Sequence, residues 1–377
     1  MFIHHARLDH LLVPAQYFSP EQHRRELERL FLPSWHLLAT TAELPRHGDF
    51  LTVDLFGRPV LVRNFHGDIR AFLNVCAHRH CLLTHAPRGN DPRFRCQYHG
   101  WEYTKEGHTG RIPDAGCFRP FDRDNARLTT LPTESCGQLI FVRLKDEGPS
   151  LAEFLGPYHA YCAESFAPPF REAWRWEGCY EANWKVPIEN SLESYHIPCL
   201  HRKTFGRFPP EEKCEHELTE QYTWFKTRDE SFGSRFQSWF ARRLGVPSTL
   251  IYEQHHVHPH MTFASLDVFR LVQVVYPTSP TTCRQKVWLF TARGHRPGWM
   301  RKTLGRLMAP VVTVVTRQIL FEDRAIYPDI QRGLEASRSR GVIGTREERV
   351  YVFQKYVLDR CGVPPSSVEP SLRQSRF

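Results

Sequence analysis

Two pairs of cysteine and histidine within the first 100 residues have side chains that commonly bind metals. Cys76 and His78 form the first pair, and Cys96 and His99 form the second. In a Rieske-type [2Fe-2S] cluster two thiolates hold one iron and two imidazoles hold the other. Zinc accepts the same ligand types, but zinc sites usually group cysteine with cysteine and histidine with histidine. The mixed pairs therefore favour an iron–sulfur cluster, with a zinc site as the alternative.

A second group of metal-binding residue types lies between residues 193 and 201. Glu193 and His196 are three residues apart, so they would share one face of a helix. Pro198 is expected to end that helix and to let the chain bring His201 to the same point. Two imidazoles and one carboxylate on one face of an iron leave positions open for O₂ and substrate. Because the H-x₄-H spacing is weak by itself, two surface histidines flanking a turn are the alternative.

The segments around both groups resemble a single family. The strings NVCAHRHCLLT and RCQYHGWEYTKEG resemble the Rieske domain of the oxygenase (alpha) subunit of Rieske non-haem iron oxygenases, and NWKVPIENSLESYHIPCLH resembles its catalytic motif. This ring-hydroxylating family includes choline, carnitine and betaine monooxygenases. Gln97 stands where the family usually has proline, and Glu193 stands where many relatives have aspartate. Neither departure removes a predicted metal ligand.

The resemblance implies a role for individual residues. The two Cys-plus-His pairs would bind one [2Fe-2S] cluster, and His196 and His201 would bind one Fe²⁺. Glu193 would be the acid on the electron path between the Rieske histidine of one subunit and the iron of its neighbour. The string ILFEDR resembles the helix that carries the third iron ligand, which makes Asp323 that ligand and Glu322 the alternative. The simplest interpretation of Glu322 is a solvated acid paired with a nearby arginine.

The periodicity of apolar residues predicts the elements that would position these side chains. The stretches FLTVDLF, VLVRNF and IRAFLNV, separated by turn residues, predict antiparallel strands. Helical spacing occurs near residues 20–31 and over 311–327, where Pro328 would kink or end the helix. The polar string KDEGPS at 145–150 is the best domain boundary. We predict an N-terminal helical segment packing on the catalytic domain (1–34), an all-β Rieske domain (35–145) and an α+β catalytic domain (146–377).

Composition and charge narrow the class of protein. The chain has 377 residues, which suits two domains, and its formal charge of +9 includes no basic block, so we predict no nucleic-acid binding. A mildly basic surface would suit an acidic electron donor. Eleven unevenly spaced cysteines favour a reducing compartment. No signal peptide is evident and Pro310 interrupts the apolar stretch 307–315, so we predict a soluble cytoplasmic protein with no membrane contact.

The family resemblance also implies a fold and a function. It implies an α+β fold in which an antiparallel sheet wraps around a long C-terminal helix, of the helix-grip type, and a homotrimer. The protein would use O₂ to hydroxylate or oxidatively demethylate a small organic substrate. Because the sequence has no G-x-G-x-x-G fingerprint, electrons would come from a separate NAD(P)H-dependent reductase or ferredoxin.

The alternative function is a Rieske electron-transfer protein without oxygenase activity, which would need only residues 35–145. The substrate is open between an arene and a quaternary ammonium compound. Aromatic side chains that could line its pocket, or simply belong to the core, are Tyr222, Trp224, Phe225 and Phe263.

Overall fold

The computed structural model describes residues 2–122, 125–202, 204, 209–294 and 299–362. It contains two compact units. One is Leu32–Ala167, and the other combines Met1–Phe31 with Pro168–Phe377. The first 31 residues thus belong to the same unit as the C-terminal part of the chain. They include the short strand β1 (Leu8–Asp9) and helix α1 (Pro20–Glu26), whose first turn is capped by the Ser19 hydroxyl accepting from the Gln22 N–H.

The Leu32–Ala167 unit is built from antiparallel strands. A three-stranded sheet has the order β2-β9-β8 and a five-stranded sheet has the order β6-β3-β4-β5-β7. The strands are β2 (Trp35–Thr40), β3 (Asp49–Leu55), β4 (Arg58–Phe65), β5 (Asp68–Leu73), β6 (Arg88–Asn90), β7 (Thr130–Leu131), β8 (Thr133–Cys136) and β9 (Leu139–Arg143). These sheets confirm the prediction of an N-terminal β domain.

Two short helices extend this unit beyond the polar string at 145–150. They are α2 (Leu151–Leu155) and α3 (Tyr158–Ser165). The thiol of Cys136 donates to the carbonyl of His159, and the side chain of Gln138 donates to the carbonyl of Phe166. The N–H of Leu151 in α2 also donates to the side chain of Glu134 in β8. Because these bonds join the two helices to β8 and the turn after it, the unit ends at Ala167 rather than at the predicted boundary after residue 145.

The second unit contains a seven-stranded antiparallel sheet of order β10-β16-β15-β14-β13-β12-β11. Its strands are β10 (Phe170–Tyr180), β11 (Cys214–Leu218), β12 (Tyr222–Arg228), β13 (Ile251–Val257), β14 (Met261–Leu266), β15 (Phe269–Ser279) and β16 (Thr282–Ala292). A further strand, β17 (Val342–Ile343), pairs with β1. The helices of this unit are α4 (Lys185–Ser191), α5 (Ile197–Leu200), α6 (Phe232–Leu244), α7 (Trp299–Ala336) and α8 (Glu348–Cys361). The prediction of an α+β domain with a long C-terminal helix is confirmed.

Helix α7 is longer than the apolar periodicity predicted. It runs through Pro310 and Pro328, so neither proline ends it. Each proline removes one backbone hydrogen bond from the helix. The contacts of α7 with α4, β10 and β16 stabilise the helix and offset that loss. By length and composition alone, the part from Thr303 to Ala336 is also apolar enough to cross a membrane, and only 22% of its most apolar window is buried in the chain.

Candidate iron centres

The two Cys-plus-His loops lie side by side in the β unit. An antiparallel bridge between Val75 and Leu82 closes the first loop at its base, and one between Arg95 and Glu102 closes the second. Beneath the loops lies a buried apolar cluster that includes Leu61, Phe72, Leu83, Phe94, Trp101 and Leu128. The sequence places a short strand pair around each loop, and the apolar side chains anchor both loops to one core.

The four predicted cluster ligands are brought together in the arrangement that a Rieske cluster requires. Cys76 and Cys96 are both 2% exposed, and after burial the neighbouring Cys96 thiol also contributes to the raised pKa of Cys76. The rings of His78 and His99 lie nearer the surface, with centroids 4.8 Å apart. The buried Nδ1 atom of His78 has no hydrogen-bond partner within the described residues. Two inner thiols and two outer imidazoles fit a cluster with one iron on each pair.

Tyr103 supports the inner side of this site. Its hydroxyl lies 2.9 Å from the Sγ atom of Cys76 and accepts from the N–H of Ala77 at 3.1 Å. Burial, followed by the contact with Cys76, raises the pKa of Tyr103 well above its usual range. The hydroxyl therefore keeps its proton and donates to the sulfur when Cys76 is a thiolate.

Gln97, the departure from the family pattern, links the two loops. Its side-chain N–H donates to the carbonyl of Leu82 at 3.1 Å, and its side-chain oxygen lies 2.6 Å from Nδ1 of His85. Its backbone N–H donates to the carbonyl of Leu83 at 3.0 Å, a bond that proline cannot form. Gln97 thus replaces the rigidity of a proline with three polar contacts to the neighbouring loop.

The second predicted group is not positioned as the sequence suggested. Helix α4 ends at Ser191, so Glu193 lies in the following loop rather than on a helix with His196. Pro198 does not end a helix, because it occupies the first turn of α5, where its missing N–H needs no partner. The prediction for this local structure was wrong. Helix α5 nevertheless separates His196 from His201 by about one turn and directs both rings to one point.

His196, His201 and Asp323 converge. The single ligand atoms that they offer all lie within 4.8 Å of one another. Nε2 of His201 is 3.0 Å from Oδ1 of Asp323, and Nε2 of His196 is 3.6 Å from the same oxygen. His201 is buried, whereas His196 and Asp323 are partly exposed. Two imidazoles and one carboxylate around one point are the donor set of a non-haem iron site.

Each histidine is oriented by a second carboxylate on its other nitrogen. Glu193 accepts from Nδ1 of His196, and Glu322 accepts from Nδ1 of His201 at 2.7 Å. A carboxylate accepts only, so both Nδ1 atoms carry hydrogen, and Nε2 of each ring is the atom that would bind a metal.

Glu322 was predicted to be a solvated acid paired with an arginine, and that prediction was wrong. Its side chain is 14% exposed and also accepts from Gln318 and Thr204. Burial alone would raise the pKa of Glu322, but the bonds from Gln318, His201 and Thr204 lower it. Successive residues of α7 point in different directions, so Asp323 meets Nε2 of His201 while Glu322 meets Nδ1.

Asn190 is a further residue of this site that the sequence analysis missed. Its side-chain N–H donates to Oδ1 of Asp323 at 3.0 Å, and the hydroxyl of Tyr327 lies 3.5 Å from the same nitrogen. Asn190 is on α4, one position before that helix ends. The sequence feature that could have indicated this role is its position within the catalytic motif NWKVPIENSLESYHIPCLH.

A buried ion pair fixes the start of α4. Nζ of Lys185 lies 2.7 Å from Oε1 of Glu26, and both side chains are fully buried. Glu26 also accepts from the indole N–H of Trp184 at 2.7 Å and from the side chain of Gln22 at 3.0 Å. These three donors replace the water that the Glu26 carboxylate loses on burial, and they offset the free-energy cost of burying its charge. The N-terminal helix α1 is thereby joined to the element that presents Asn190.

The sheet register separates the four aromatic residues considered for the pocket. Tyr222 and Trp224 alternate with Phe225 along β12, so they lie on the opposite face from it. Phe263 is in the same cross-strand row as Trp224. Phe225 pairs with Gln254, whose side chain bonds to the last carbonyl of α4. Of the four, only Phe225 therefore lies on the sheet face that packs against α4.

Family models match both units. Residues 34–132 match the Rieske [2Fe-2S] domain, and residues 165–363 match the catalytic domain of the ring hydroxylating alpha subunit. The two matches indicate a Rieske cluster and a mononuclear iron as the cofactors of the chain.

Several characterised proteins are similar in sequence. The glycine betaine monooxygenase oxygenase subunit of Chromohalobacter salexigens is 32% identical over 196 residues, which cover 51% of this chain and 43% of that protein. The anthranilate 1,2-dioxygenase large subunit of Burkholderia cepacia is 31% identical over 222 residues, covering 55% of this chain and 52% of that protein. The chain thus matches about half the length of these relatives.

Solved structures match over nearly the whole chain. The quaternary ammonium Rieske monooxygenase CntA, in complex with an inhibitor, has a TM-score of 0.76 at 20% identity, covering 94% of this chain and 95% of that one. Naphthalene 1,2-dioxygenase from Rhodococcus sp. has a TM-score of 0.74 at 19% identity, covering 93% and 94%. At these identities the likeness establishes the fold. Together with the two domain matches, it shows that the chain belongs to the Rieske-containing ring hydroxylating alpha subunit family.

Proposed function

We propose that the protein is the oxygenase component of a Rieske-type oxygenase. The observation that carries this proposal is the convergence of His196, His201 and Asp323 in a chain that also holds two Cys-plus-His loops. A Rieske electron-transfer protein would need only the loops and would leave this second donor set without a role. The geometry therefore favours the oxygenase over the electron carrier.

In this proposal each set of side chains has a defined task. Cys76, His78, Cys96 and His99 hold the cluster. Nε2 of His196, Nε2 of His201 and a carboxylate oxygen of Asp323 would hold the mononuclear iron. When bound, the cluster supplies single electrons and the iron supplies a binding site for O₂.

The surrounding residues prepare the donors for this task. Glu193 and Glu322 fix the tautomer and the orientation of the two imidazoles. Asn190 holds Asp323 through one carboxylate oxygen. The hydrogen bonds therefore orient the donors of the site before a metal binds.

The electron supply is the second part of the proposal. Electrons would come from a separate NAD(P)H-dependent reductase or ferredoxin, and the basic charge of the chain would favour an acidic donor. We propose a homotrimer in which Glu193 lies between the iron of one subunit and the Rieske histidine of its neighbour. In support, Glu193 is already bonded to an iron-ligand candidate, His196. A cytoplasmic location would give the reducing conditions that eleven cysteines favour.

The substrate is proposed at the level of a class, a small organic molecule. Relatives of the chain include a glycine betaine monooxygenase, an anthranilate 1,2-dioxygenase and an N,N-dimethyl phenylurea N-demethylase. Within the catalytic motif, the strings NWK and ENSLESYH resemble those of the choline, carnitine and betaine group. We therefore propose that the substrate is a methylammonium compound, which is hydroxylated or N-demethylated, rather than an arene.

The first test is metal content. The chain would be purified anaerobically as wild type, as His196→Ala, and as the control His5→Ala, which changes an exposed histidine outside both sites. We expect about three irons and two sulfides in the wild type and the control, and about two irons in His196→Ala. About two irons in all three proteins would contradict the catalytic site and favour the electron carrier.

The second test is turnover. O₂ uptake and formaldehyde release would be measured with a surrogate reductase and with glycine betaine, carnitine, anthranilate and naphthalene as probes. Formaldehyde release from a methylammonium probe would support the proposed class. A cis-diol from an arene, without formaldehyde from any probe, would overturn it while leaving the oxygenase assignment in place.

A further inference from the structure

Helix α6 and the first part of helix α7, residues 299–321, are basic and contain no acid. Helix α6 includes Arg235, Arg242 and Arg243, and residues 299–321 of α7 include Arg301, Lys302, Arg306 and Arg317. Neither stretch contains an aspartate or a glutamate. The two helices pack against each other. A large part of the chain's net charge of +9 is therefore concentrated in one region.

The same helices expose large apolar side chains. On α7, Leu307 is 62% exposed, Val311 is 48% exposed and Val314 is 65% exposed. They are spaced by four and three residues, so they form a stripe along one helix face. On α6, Phe236 and Trp239 are also exposed. We call these five residues the apolar stripe.

Arginines border the apolar stripe without acidic partners. At about 100° per residue, Arg306 lies on the flank of the face that carries Leu307. The guanidinium of Arg243 lies 5.0 Å from the ring centre of Trp239. Within the described parts of the chain, none of the exposed cations Arg235, Arg242, Arg243, Arg306 and Arg317 forms a salt bridge with a carboxylate. This surface thus combines apolar burial with uncompensated positive charge.

We propose that the apolar stripe and its five arginines form a surface that docks on a membrane rich in anionic phospholipid. Apolar side chains would enter the boundary between headgroups and acyl chains, and arginines would bind lipid phosphates. Helix α7 lies on the membrane and does not cross it, because it carries Glu322 and Asp323 of the iron centre. The sequence alone predicted no membrane contact, since the stripe becomes visible only when exposure is known.

An acidic electron-donor protein is the other partner with matching charge. The stripe contains no redox group, and apolar side chains with bordering arginines match a lipid interface better than an electron-transfer contact. The inference does not depend on the proposed oxygenase activity.

The test is flotation of the iron-loaded full-length protein with vesicles. One set contains phosphatidylcholine alone, and the other contains phosphatidylcholine with phosphatidylglycerol. We expect binding to the anionic vesicles, lost in high salt. The double variant Arg242→Gln/Arg243→Gln should weaken binding by about fivefold for each arginine removed. Val314→Asn should weaken it as well, because it places an amide among the acyl chains.

Matched controls lie outside the surface. Val342→Asn changes a valine that is 67% exposed, and Arg338→Gln/Arg340→Gln removes two exposed arginines beyond the end of α7. We expect these variants to bind like the wild type. Iron content and the visible spectrum check that every variant is folded.

Three results would overturn the proposal. One is the absence of binding to anionic vesicles. Another is an equal loss of binding in the control variants. The third is a fall in oligomer mass of Val314→Asn in sedimentation, which would show that a second copy of the chain covers the stripe.

Discussion

Replacing Glu322 tests how the iron centre is organised. Its carboxylate accepts from Nδ1 of His201 at 2.7 Å and is itself fixed by Gln318 and Thr204. Loss of such a partner typically lowers metal affinity 10- to 100-fold, or about 1.4–2.7 kcal/mol. In Glu322→Gln the amide oxygen still accepts from Nδ1, but the negative charge is gone, so we expect about 10-fold weaker binding. Glu322→Ala loses both the acceptor and the charge, so its metal binding should be weaker by nearly 100-fold.

The assay is an anaerobic titration of metal-free protein with Fe²⁺, repeated with Co²⁺ because its absorption reports coordination. Asp329→Asn is the control, because Asp329 is on the same helix and 58% of its side chain is exposed. Wild-type affinity in both Glu322 variants would refute the role of this carboxylate. Complete loss of metal in Glu322→Gln together with normal binding in Asp323→Asn would show that Glu322 is the ligand instead.

Other predictions concern stability and the cluster. Lys185→Met should lower the free energy of unfolding by about 3–5 kcal/mol in urea denaturation, because it leaves Glu26 charged and buried, and Lys185→Met/Glu26→Gln should recover part of that loss. Burial, followed by two nearby arginines, lowers the pKa of His258 to about 3. The unfolded chain therefore binds more protons below pH ~6.5, and stability should fall by up to about 1.4 kcal/mol per pH unit down to pH ~3, less steeply in His258→Gln. Tyr103→Phe removes a hydrogen bond to Cys76 and should lower the midpoint potential of the cluster in a redox titration, and an unchanged potential would count against that bond.

The sequence by itself determined which residues could bind metal and roughly which elements carry them. The types and spacing of Cys76, His78, Cys96 and His99 predicted a Rieske cluster, and alternating apolar residues predicted the strands around them. These features are local, because each ligand pair lies within four residues and each strand shows its own period of two. The choice of Asp323 as third ligand depended on a resemblance, since no local pattern joins it to His196.

Only the tertiary structure decided how distant residues meet. It directed Glu322 to Nδ1 and Asp323 to Nε2 of His201. These contacts depend on how α7 lies against the end of α5, which no local sequence pattern shows. It placed Pro198 at the start of a helix and carried α7 through two prolines, since packing outweighs local propensity. It also left the apolar stripe uncovered. Periodicity shows that a helix has an apolar face, but only the packed structure shows whether that face is buried.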